Sequence, residues 1–207
     1  MKIGGFLPLS LCDFPGLISC VIFTQGCNFR CPFCHNSSLI ATNAGSSQRI
    51  GETRVLEFAD RHSGQLDGVV ISGGEPTIQQ DLWEVLSRIK MLGLKTMIET
   101  NGSSPAVLGS LIQDSLVDFM AMDVKAPMNA YQRLVGVEVD MKKIAESVEL
   151  IAASGLPHEF RTTVVKPLLS DADMKAICRM IPAGSPHRLQ VFRPEHALDQ
   201  SLRIDAQ

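Results

Sequence analysis

Residues 21–36 read VIFTQGCNFRCPFCHN, an apolar strand-like run that leads into a loop with three cysteines. We call residues 25–36 the cysteine loop. Its cysteines are Cys27, Cys31 and Cys34, so their spacing is C-x3-C-x2-C. Three thiolates on one short loop can bind three irons of a [4Fe–4S] cube. No fourth cysteine stands at a comparable spacing, so the sequence predicts a cluster with one iron open to another ligand.

Two other interpretations of the cysteine loop are open. A structural zinc site needs four ligands in tetrahedral geometry, so His35 would have to contribute with help from Cys12 or Cys20. His35 directly follows Cys34, and sequence neighbours rarely point at one metal ion with good geometry. A cluster that only carries electrons is expected to use four thiolates. The cluster with an open iron is therefore the favoured interpretation.

The composition limits the class of protein. The chain has 207 residues, 45% of them hydrophobic, which is enough for one sizeable core and short for two. We expect a single domain over residues 1–207. The net charge of −3 gives no basic field for nucleic acid. Without a leader-like N-terminus or a run of eighteen apolar residues, we expect a cytoplasmic protein with no membrane partner.

Short apolar runs alternate with amphipathic segments from residue 18 onward. The predicted strands are residues 18–24, 68–72, 95–100, 119–123, 158–165 and 188–192, and the predicted helices are residues 53–62, 79–92, 105–114, 141–154 and 171–181. Such βαβ units form either a doubly wound sheet or a barrel of parallel strands. The length favours an α/β fold with a partial (β/α)6 TIM-like barrel. Residues 41–51 are expected to form a loop.

Polar motifs follow the predicted strands. The cysteine loop follows the first strand, and the later motifs are SGGEPT at residues 72–77, ETNG at 99–102, DVK at 123–125 and RTT at 161–163. In a parallel barrel, the C-terminal ends of all strands open on one face, which we call the mouth. The motifs are therefore expected to converge there.

Each motif also has a purely structural interpretation. The glycines and the acid of residues 73–75 suit recognition of a ligand ammonium group, or form a tight turn capped by Thr77. The ETNG motif can be an Asn-Gly turn and nothing more. Asp123 and Lys125 face the same side of a strand, so they are expected to pair or to bind a ligand. Arg161 can bind a carboxylate or form a salt bridge within the fold.

The order of C-x3-C-x2-C, Gly-Gly-Glu-Pro and Asp-x-Lys resembles the radical S-adenosylmethionine (SAM) superfamily over nearly the whole chain. More narrowly, DFPG at residues 13–16, VIFTQGC at 21–27 and CHN at 34–36 resemble the small activating enzymes of glycyl radical enzymes. The likeness is greatest to the activating protein of anaerobic ribonucleoside-triphosphate reductase. Phe14 and Ser19 depart from this pattern, since relatives commonly have glycine and a basic residue there.

The resemblance implies that Cys27, Cys31 and Cys34 hold a [4Fe–4S] cluster and that SAM binds its open iron. It places Gly73, Gly74 and Glu75 at the SAM amino group, Phe33 and the His35 backbone at adenine, and Glu99, Lys125 and Arg161 on the ribose and carboxylate side. Asp123 would help to bind a monovalent cation. Glu99 stands where many relatives carry Asp.

The implied activity is that of a radical SAM oxidoreductase of anaerobic metabolism. An electron from a flavodoxin or ferredoxin would cleave SAM reductively, and a hydrogen would be taken from one glycine of a glycyl radical enzyme. The expected partner is anaerobic ribonucleotide reductase, whose glycine loop would enter through the open side of the barrel. The alternatives are a small-molecule reaction of the 7-carboxy-7-deazaguanine synthase kind and, less favoured, a non-catalytic metal-binding or electron-carrier protein.

Overall fold

One seven-stranded sheet forms the centre of the computed structural model, which describes residues 1–41 and 50–203. Its strands are paired in chain order from β1 to β7. The neighbours from β2 to β7 are parallel, and β1 is antiparallel to β2. Their bounds are β1 Ile3–Ser10, β2 Ser19–Thr24, β3 Gly68–Gly73, β4 Lys95–Thr100, β5 Phe119–Asp123, β6 His158–Val164 and β7 His187–Val191.

Helices connect the parallel strands. They are α1 Glu52–Arg61, α2 Leu82–Met91, α3 Pro105–Gln113, α4 Tyr131–Val135, α5 Met141–Ala153 and α6 Asp171–Met180. Local sequence explains several helix starts: Pro105 opens α3, the Asp140 side chain caps α5, and Ser170 and Asp173 form a capping box at α6. In the described ranges, no helix combines the length and the apolar character needed to cross a bilayer.

The predicted partial barrel is confirmed. All six predicted strands are present, with bounds that shift by one residue at most. The mostly parallel sheet is open: β1 and β7 form its two edges and do not pair with each other. The helix predicted over residues 79–92 begins at Leu82, because Pro76–Ile78 form a separate 3-10 turn. Of the loop predicted at residues 41–51, residues 42–49 lie outside the described residues.

β1 and α4 were not predicted from the sequence. β1 contains Gly4, Gly5 and Pro8, which weaken strand patterns, and its pairing with β2 shifts register in two places. An edge strand tolerates such residues because one of its sides is not part of the sheet's hydrogen bonding. α4 has five residues, too few to show a helical period.

Alternation along the strands separates two faces of the sheet. On the face opposite the helices, Val21, Val70, Met97 and Ala121 form a small buried cluster with Phe14. The Phe14 ring lies at the N-terminal ends of the strands, 6.0 Å edge-on from Phe119, and a Cβ at Gly68 would stand 3.0 Å from it. Phe14 therefore fills the end of the barrel opposite the mouth, which gives a packing reason for an aromatic residue at this position.

The same face carries polar side chains nearer the mouth. Two residues beyond Val70, Met97 and Ala121 along their strands stand Ser72, Glu99 and Asp123. Because residues i and i+2 share a face, the strands that bury the apolar cluster also present these polar groups towards the mouth.

Asp118 links α2 to the sheet just before β5 begins. Its carboxylate accepts hydrogen bonds from Lys90 Nζ and from the buried Thr96 N–H, both at 2.8 Å. Burial acts to raise the pKa of Asp118, but the hydrogen bonds from Lys90 and Thr96 outweigh it and lower the pKa. A carboxyl with a lowered pKa stabilises the fold above its unfolded-state pKa of about 4, and that contribution is lost as the pH falls through the folded-state value.

Asp118→Asn is expected to lower the free energy of unfolding by about 1–2 kcal/mol at neutral pH, because one amide oxygen cannot serve both donors. The difference from the wild type should begin to shrink below about pH 4, where the unfolded chain takes up the proton, and should disappear once the pH falls below the lowered pKa of the folded wild-type carboxyl. Urea unfolding of the metal-free chain, followed by circular dichroism at both pH values, measures this. Asp60→Asn on the exposed side of α1 is the matched control, and equal losses in the two variants would contradict the prediction.

Candidate functional site

A cavity of about 210 Å³ opens at the mouth of the partial barrel. All twelve candidate residues from the sequence line it: Cys27, Cys31, Phe33, Cys34, His35, Gly73, Gly74, Glu75, Glu99, Asp123, Lys125 and Arg161. The strand-end motifs therefore converge at the mouth, as predicted. Arg161 lies inside β6 rather than at its end, in register with Asp123 at the end of β5.

The cysteine loop is held by backbone hydrogen bonds on both sides. Near its start, the Gly26 and Cys27 N–H groups donate to the carbonyls of Leu39 and Ile40, at 2.7 and 3.1 Å. Near its middle, the Arg30 N–H donates to the last carbonyl of α4, that of Val135, at 2.9 Å. The short helix α4 therefore supports the span between the first two cysteines.

The turn at residues 73–75, here called the Gly-Gly-Glu turn, packs directly on the start of the cysteine loop. The Gly74 and Glu75 N–H groups donate to the carbonyls of Thr24 and Gly26, at 2.9 and 2.8 Å. A Cβ on Gly74 would stand 2.0 Å from the Gly26 oxygen, and Gly73 has a φ of +113°. The two glycines thus permit a close backbone approach, and the backbone they approach is that of the cysteine loop.

Glu75 joins the loops after β3 and β4. Its carboxylate accepts hydrogen bonds from Thr77 N–H, Thr77 Oγ1 and Thr100 Oγ1 on one oxygen and from Asn101 N–H on the other, between 2.6 and 3.1 Å. Burial raises the pKa of Glu75, although these neutral donors oppose it. Among the described residues, no Lys, Arg or His forms a salt bridge with this buried carboxyl, so a cationic ligand group would be the partner that stabilises its ionised form.

Burial is also the largest influence on the pKa values of the three cysteine thiols. It raises the pKa of Cys27 to about 11 and that of Cys31 to about 12, and it raises the pKa of Cys34. The Lys125 ammonium opposes this effect at all three thiols. A metal that binds these thiols would have to displace their protons and supply the charge that stabilises the thiolates.

The three thiols are not arranged around a single ion. In the part of the chain that the structure describes, no three Cys, His, Asp or Glu side chains lie close enough to share one metal ion. A cluster does not need that proximity, because each thiolate binds a different iron. The arrangement therefore fits a cluster better than mononuclear zinc.

Two ion pairs face the cavity. Lys125 Nζ lies 2.9 Å from Asp123 Oδ2. Burial acts to lower the pKa of Lys125, but the neighbouring Asp123, Cys31 and Tyr131 together outweigh it and raise the pKa. Arg161 pairs with Glu99 and with Glu159, and these carboxylates raise its pKa against the effect of burial. The pairing expected for residues 123 and 125 is present, and Arg161 forms salt bridges within the fold.

The segment after β7 holds the end of the cysteine loop. The His35 ring stacks on Phe192, with centroids 5.6 Å apart and planes 13° apart, and its Nε2 accepts a hydrogen bond from the Arg193 N–H at 3.0 Å. Desolvation lowers the pKa of His35, consistent with a neutral ring that accepts this bond. The His35 backbone is thereby fixed beside the cavity.

Several polar residues of the site were not among the predicted contacts. Ser72, Thr100, Asn101, Thr163 and Gln190 also line the cavity. Thr163 lies two residues beyond Arg161 and pairs with Gln190 of β7, so strand alternation is the signal that points to them. The sequence gives no indication that Glu159 pairs with Arg161, except that the two residues are two positions apart on one strand and so share a face.

Gly74→Ala is expected to lower the free energy of unfolding by about 1–3 kcal/mol and to reduce iron incorporation, because the added methyl group would displace the cysteine loop. Urea unfolding of the metal-free chain and iron and sulfide per chain after anaerobic reconstitution measure the two effects. Gly64→Ala is the matched control, since a Cβ there would have no neighbour within 4 Å. Equal iron content in the two variants would contradict this account of the turn.

Known proteins resemble this chain in sequence and in fold. It is 32% identical, over 97% of its length and 84% of the relative, to a protein of Methanocaldococcus jannaschii provisionally named a glycyl-radical enzyme activating enzyme. It is 29% identical to the 7-carboxy-7-deazaguanine synthase of Hyperthermus butylicus, over 81% of this chain and 76% of that protein.

Among solved structures, Streptococcus suis SuiB bound to precursor peptide SuiA superposes with a TM-score of 0.62 over 86% of this chain, at 15% identity. The chain spans 40% of the SuiB chain, and this likeness supports the fold alone. A sequence profile of the Radical SAM superfamily matches residues 21–181, which is most of the chain and includes the cysteine loop and the Gly-Gly-Glu turn. The chain therefore belongs to the radical SAM superfamily.

Proposed function

We propose that this radical SAM enzyme activates a glycyl radical enzyme by taking a hydrogen atom from one of its glycines. The observation that carries the proposal is that one cavity is lined by the buried Cys31, the half-buried Cys27 and Cys34, the Gly-Gly-Glu turn and Lys125. The M. jannaschii relative, similar over almost the whole chain, supports a protein glycine as the substrate.

Cys27, Cys31 and Cys34 would hold a [4Fe–4S] cluster and release their thiol protons when it binds. When bound together, the cluster and SAM would supply the radical chemistry: one electron from an external donor, passed through the cluster, would cleave SAM into methionine and a 5′-deoxyadenosyl radical able to take the glycine hydrogen. The chain's own part would be to bind and orient the reactants and to limit the access of water to this cavity of about 210 Å³.

The described contacts suggest how the residues would divide the SAM molecule. Glu75 would accept from the amino group, because it is buried and forms no salt bridge with a cation of the described residues. Lys125 would bind the carboxylate, since one recorded hydrogen bond, to Asp123, leaves ammonium hydrogens to donate. Phe33 and the His35 backbone would border adenine.

The roles of Arg161 and Asp123 in ligand binding depend on the salt bridges that they already form within the protein. Arg161 is already paired with Glu99 and Glu159, so we assign it to holding Glu99 at the ribose side rather than to a bidentate grip on a carboxylate. A monovalent cation beside Asp123 would compete there with Lys125.

For the partners, we propose anaerobic ribonucleotide reductase as the glycyl radical enzyme and a flavodoxin or ferredoxin as the electron donor. Residues 13–16, 21–27 and 34–36 support the first through their likeness to its activating protein. The open side of the sheet, between edges β1 and β7, is the place where a glycine loop would reach the cavity.

A small-molecule reaction is the second candidate. The H. butylicus relative, a 7-carboxy-7-deazaguanine synthase, is similar over 81% of this chain, and its substrate class would enter by the same mouth. The two candidates share the cluster and SAM and differ in whose hydrogen is taken.

Cys31→Ala is expected to abolish the brown chromophore after anaerobic reconstitution and the dithionite-driven formation of 5′-deoxyadenosine, because two thiolates cannot hold the cluster in its site. Iron and sulfide analysis, the visible spectrum and chromatography of the nucleoside measure the loss. Cys178→Ala is the control, since Cys178 is exposed on α6 and does not line the cavity. An intact cluster in Cys31→Ala would refute the ligand assignment, and tight zinc without SAM cleavage in the wild type would refute the enzyme class.

Mixing the reconstituted chain with SAM, a reductant and anaerobic ribonucleotide reductase is expected to give the doublet EPR signal of a glycyl radical. The doublet arises because the unpaired electron couples to the one remaining α-hydrogen. A reductase whose loop glycine is replaced by alanine is the control and should stay silent. If SAM is consumed while several glycyl radical enzymes give no signal, the small-molecule candidate replaces the activating enzyme.

A further inference from the structure

Asn28 lies between the first two cysteines and bonds to the loop that follows β4 through both ends of its side chain. Its Oδ1 accepts from Asn101 Nδ2 at 2.8 Å, and its Nδ2 donates to Ser103 Oγ at 2.8 Å. We propose that Asn28 and Asn101 form a clamp that keeps the cysteine loop in register with the β4 end of the SAM site. Both are positioning residues, and their effect on SAM rests on the proposed function.

The orientation of the Asn101 amide is fixed by its neighbours. Its Oδ1 accepts from the Ser103 backbone N–H at 3.0 Å, so its nitrogen must face Asn28. Its own backbone N–H donates to Glu75 at 2.7 Å. Because Asn101 is only 5% exposed, removal of the Asn28 side chain would leave a buried amide hydrogen without its acceptor.

The clamp completes a closed circuit of three loops. The cysteine loop bonds to the Gly-Gly-Glu turn through Gly26 and Glu75, and Glu75 bonds to the β4 loop through Thr100 and Asn101. Asn28 then connects the β4 loop back to the cysteine loop. Without Asn28, the cysteine loop keeps its hydrogen bonds to the Gly-Gly-Glu turn through Gly26 and to α4 through Arg30, but it loses the two described bonds to the loop after β4.

This attachment matters because SAM would touch both parts at once. Its chelating groups would lie at the cluster, while the residues at the end of β4 would meet its ribose. A displacement of about 1 Å between groups that hold one reactant can cost about a hundredfold in rate. SAM would also bind most tightly when both loops can contact it at once, so a side chain that fixes the two loops relative to each other would raise SAM affinity without touching the reacting atoms.

Asn28→Ala is expected to raise the dissociation constant for SAM about 3- to 10-fold, which is the effect of losing one or two hydrogen bonds, while iron and sulfide per chain stay at the wild-type level. Titration of the reduced cluster with SAM, followed by its EPR spectrum, measures the affinity. Arg30→Ala is the matched control: Arg30 lies in the same span, is exposed, and makes its described hydrogen bond through the backbone. Equal SAM affinity in the two variants would overturn the proposal.

A second readout needs neither cluster nor SAM. In urea unfolding of the metal-free chain, the double variant Asn28→Ala/Asn101→Ala should lose less stability than the sum of the two single variants, because both changes break the same Asn28–Asn101 hydrogen bond. Asn28→Asp keeps an acceptor for Asn101 and should retain most of the wild-type stability. Additive losses in the double variant would overturn the clamp. If the wild type itself does not bind SAM, the proposed function fails, while this cycle still decides whether the two amides are coupled.

Discussion

The close packing of the Gly-Gly-Glu turn on the backbone of residues 24–26 is the contact on which the rest of the site depends. It is possible because residues 73 and 74 have no Cβ; at Gly74 that atom would collide with the Gly26 oxygen. The packing buries the Glu75 carboxylate, and that carboxylate in turn holds Thr100 and Asn101. Three loops that are distant in sequence thereby become one rigid rim around the cavity.

Among the described residues around the cavity, some of the acidic side chains are paired with cationic side chains, and one is not. Two acids, Glu99 and Asp123, already have cationic partners in the fold, whereas Glu75 has neutral donors. Cys31 is buried and the other two thiols are half-buried, and burial raises the pKa of all three beside the charged Lys125. The site therefore offers a set of metal donors, a negative group and a positive group within one cavity, which is what chelation of an amino acid moiety next to a metal cluster requires.

Much of this could be predicted from the sequence, because strand periods and cysteine spacing are local signals. The parallel strands, the converging motifs and the twelve cavity residues follow from them. β1 was missed because its glycines and proline hide an edge strand, and α4 because it is one turn long. The partners of Arg161 and Asn28 depend on register and loop packing, which a single sequence does not reveal. Nor does a single sequence show that the Phe14 side chain fills the end of the barrel opposite the mouth.

The central claim is that SAM binds the cluster held by Cys27, Cys31 and Cys34 through the iron that the chain leaves open. Electron–nuclear double resonance of the reduced, reconstituted chain with SAM labelled by 15N at its amino group tests this directly. The account predicts a hyperfine coupling from the labelled nitrogen, which shows that it is bound to iron. A cluster whose spectrum is unchanged by SAM, with no coupling from the label, would contradict the account.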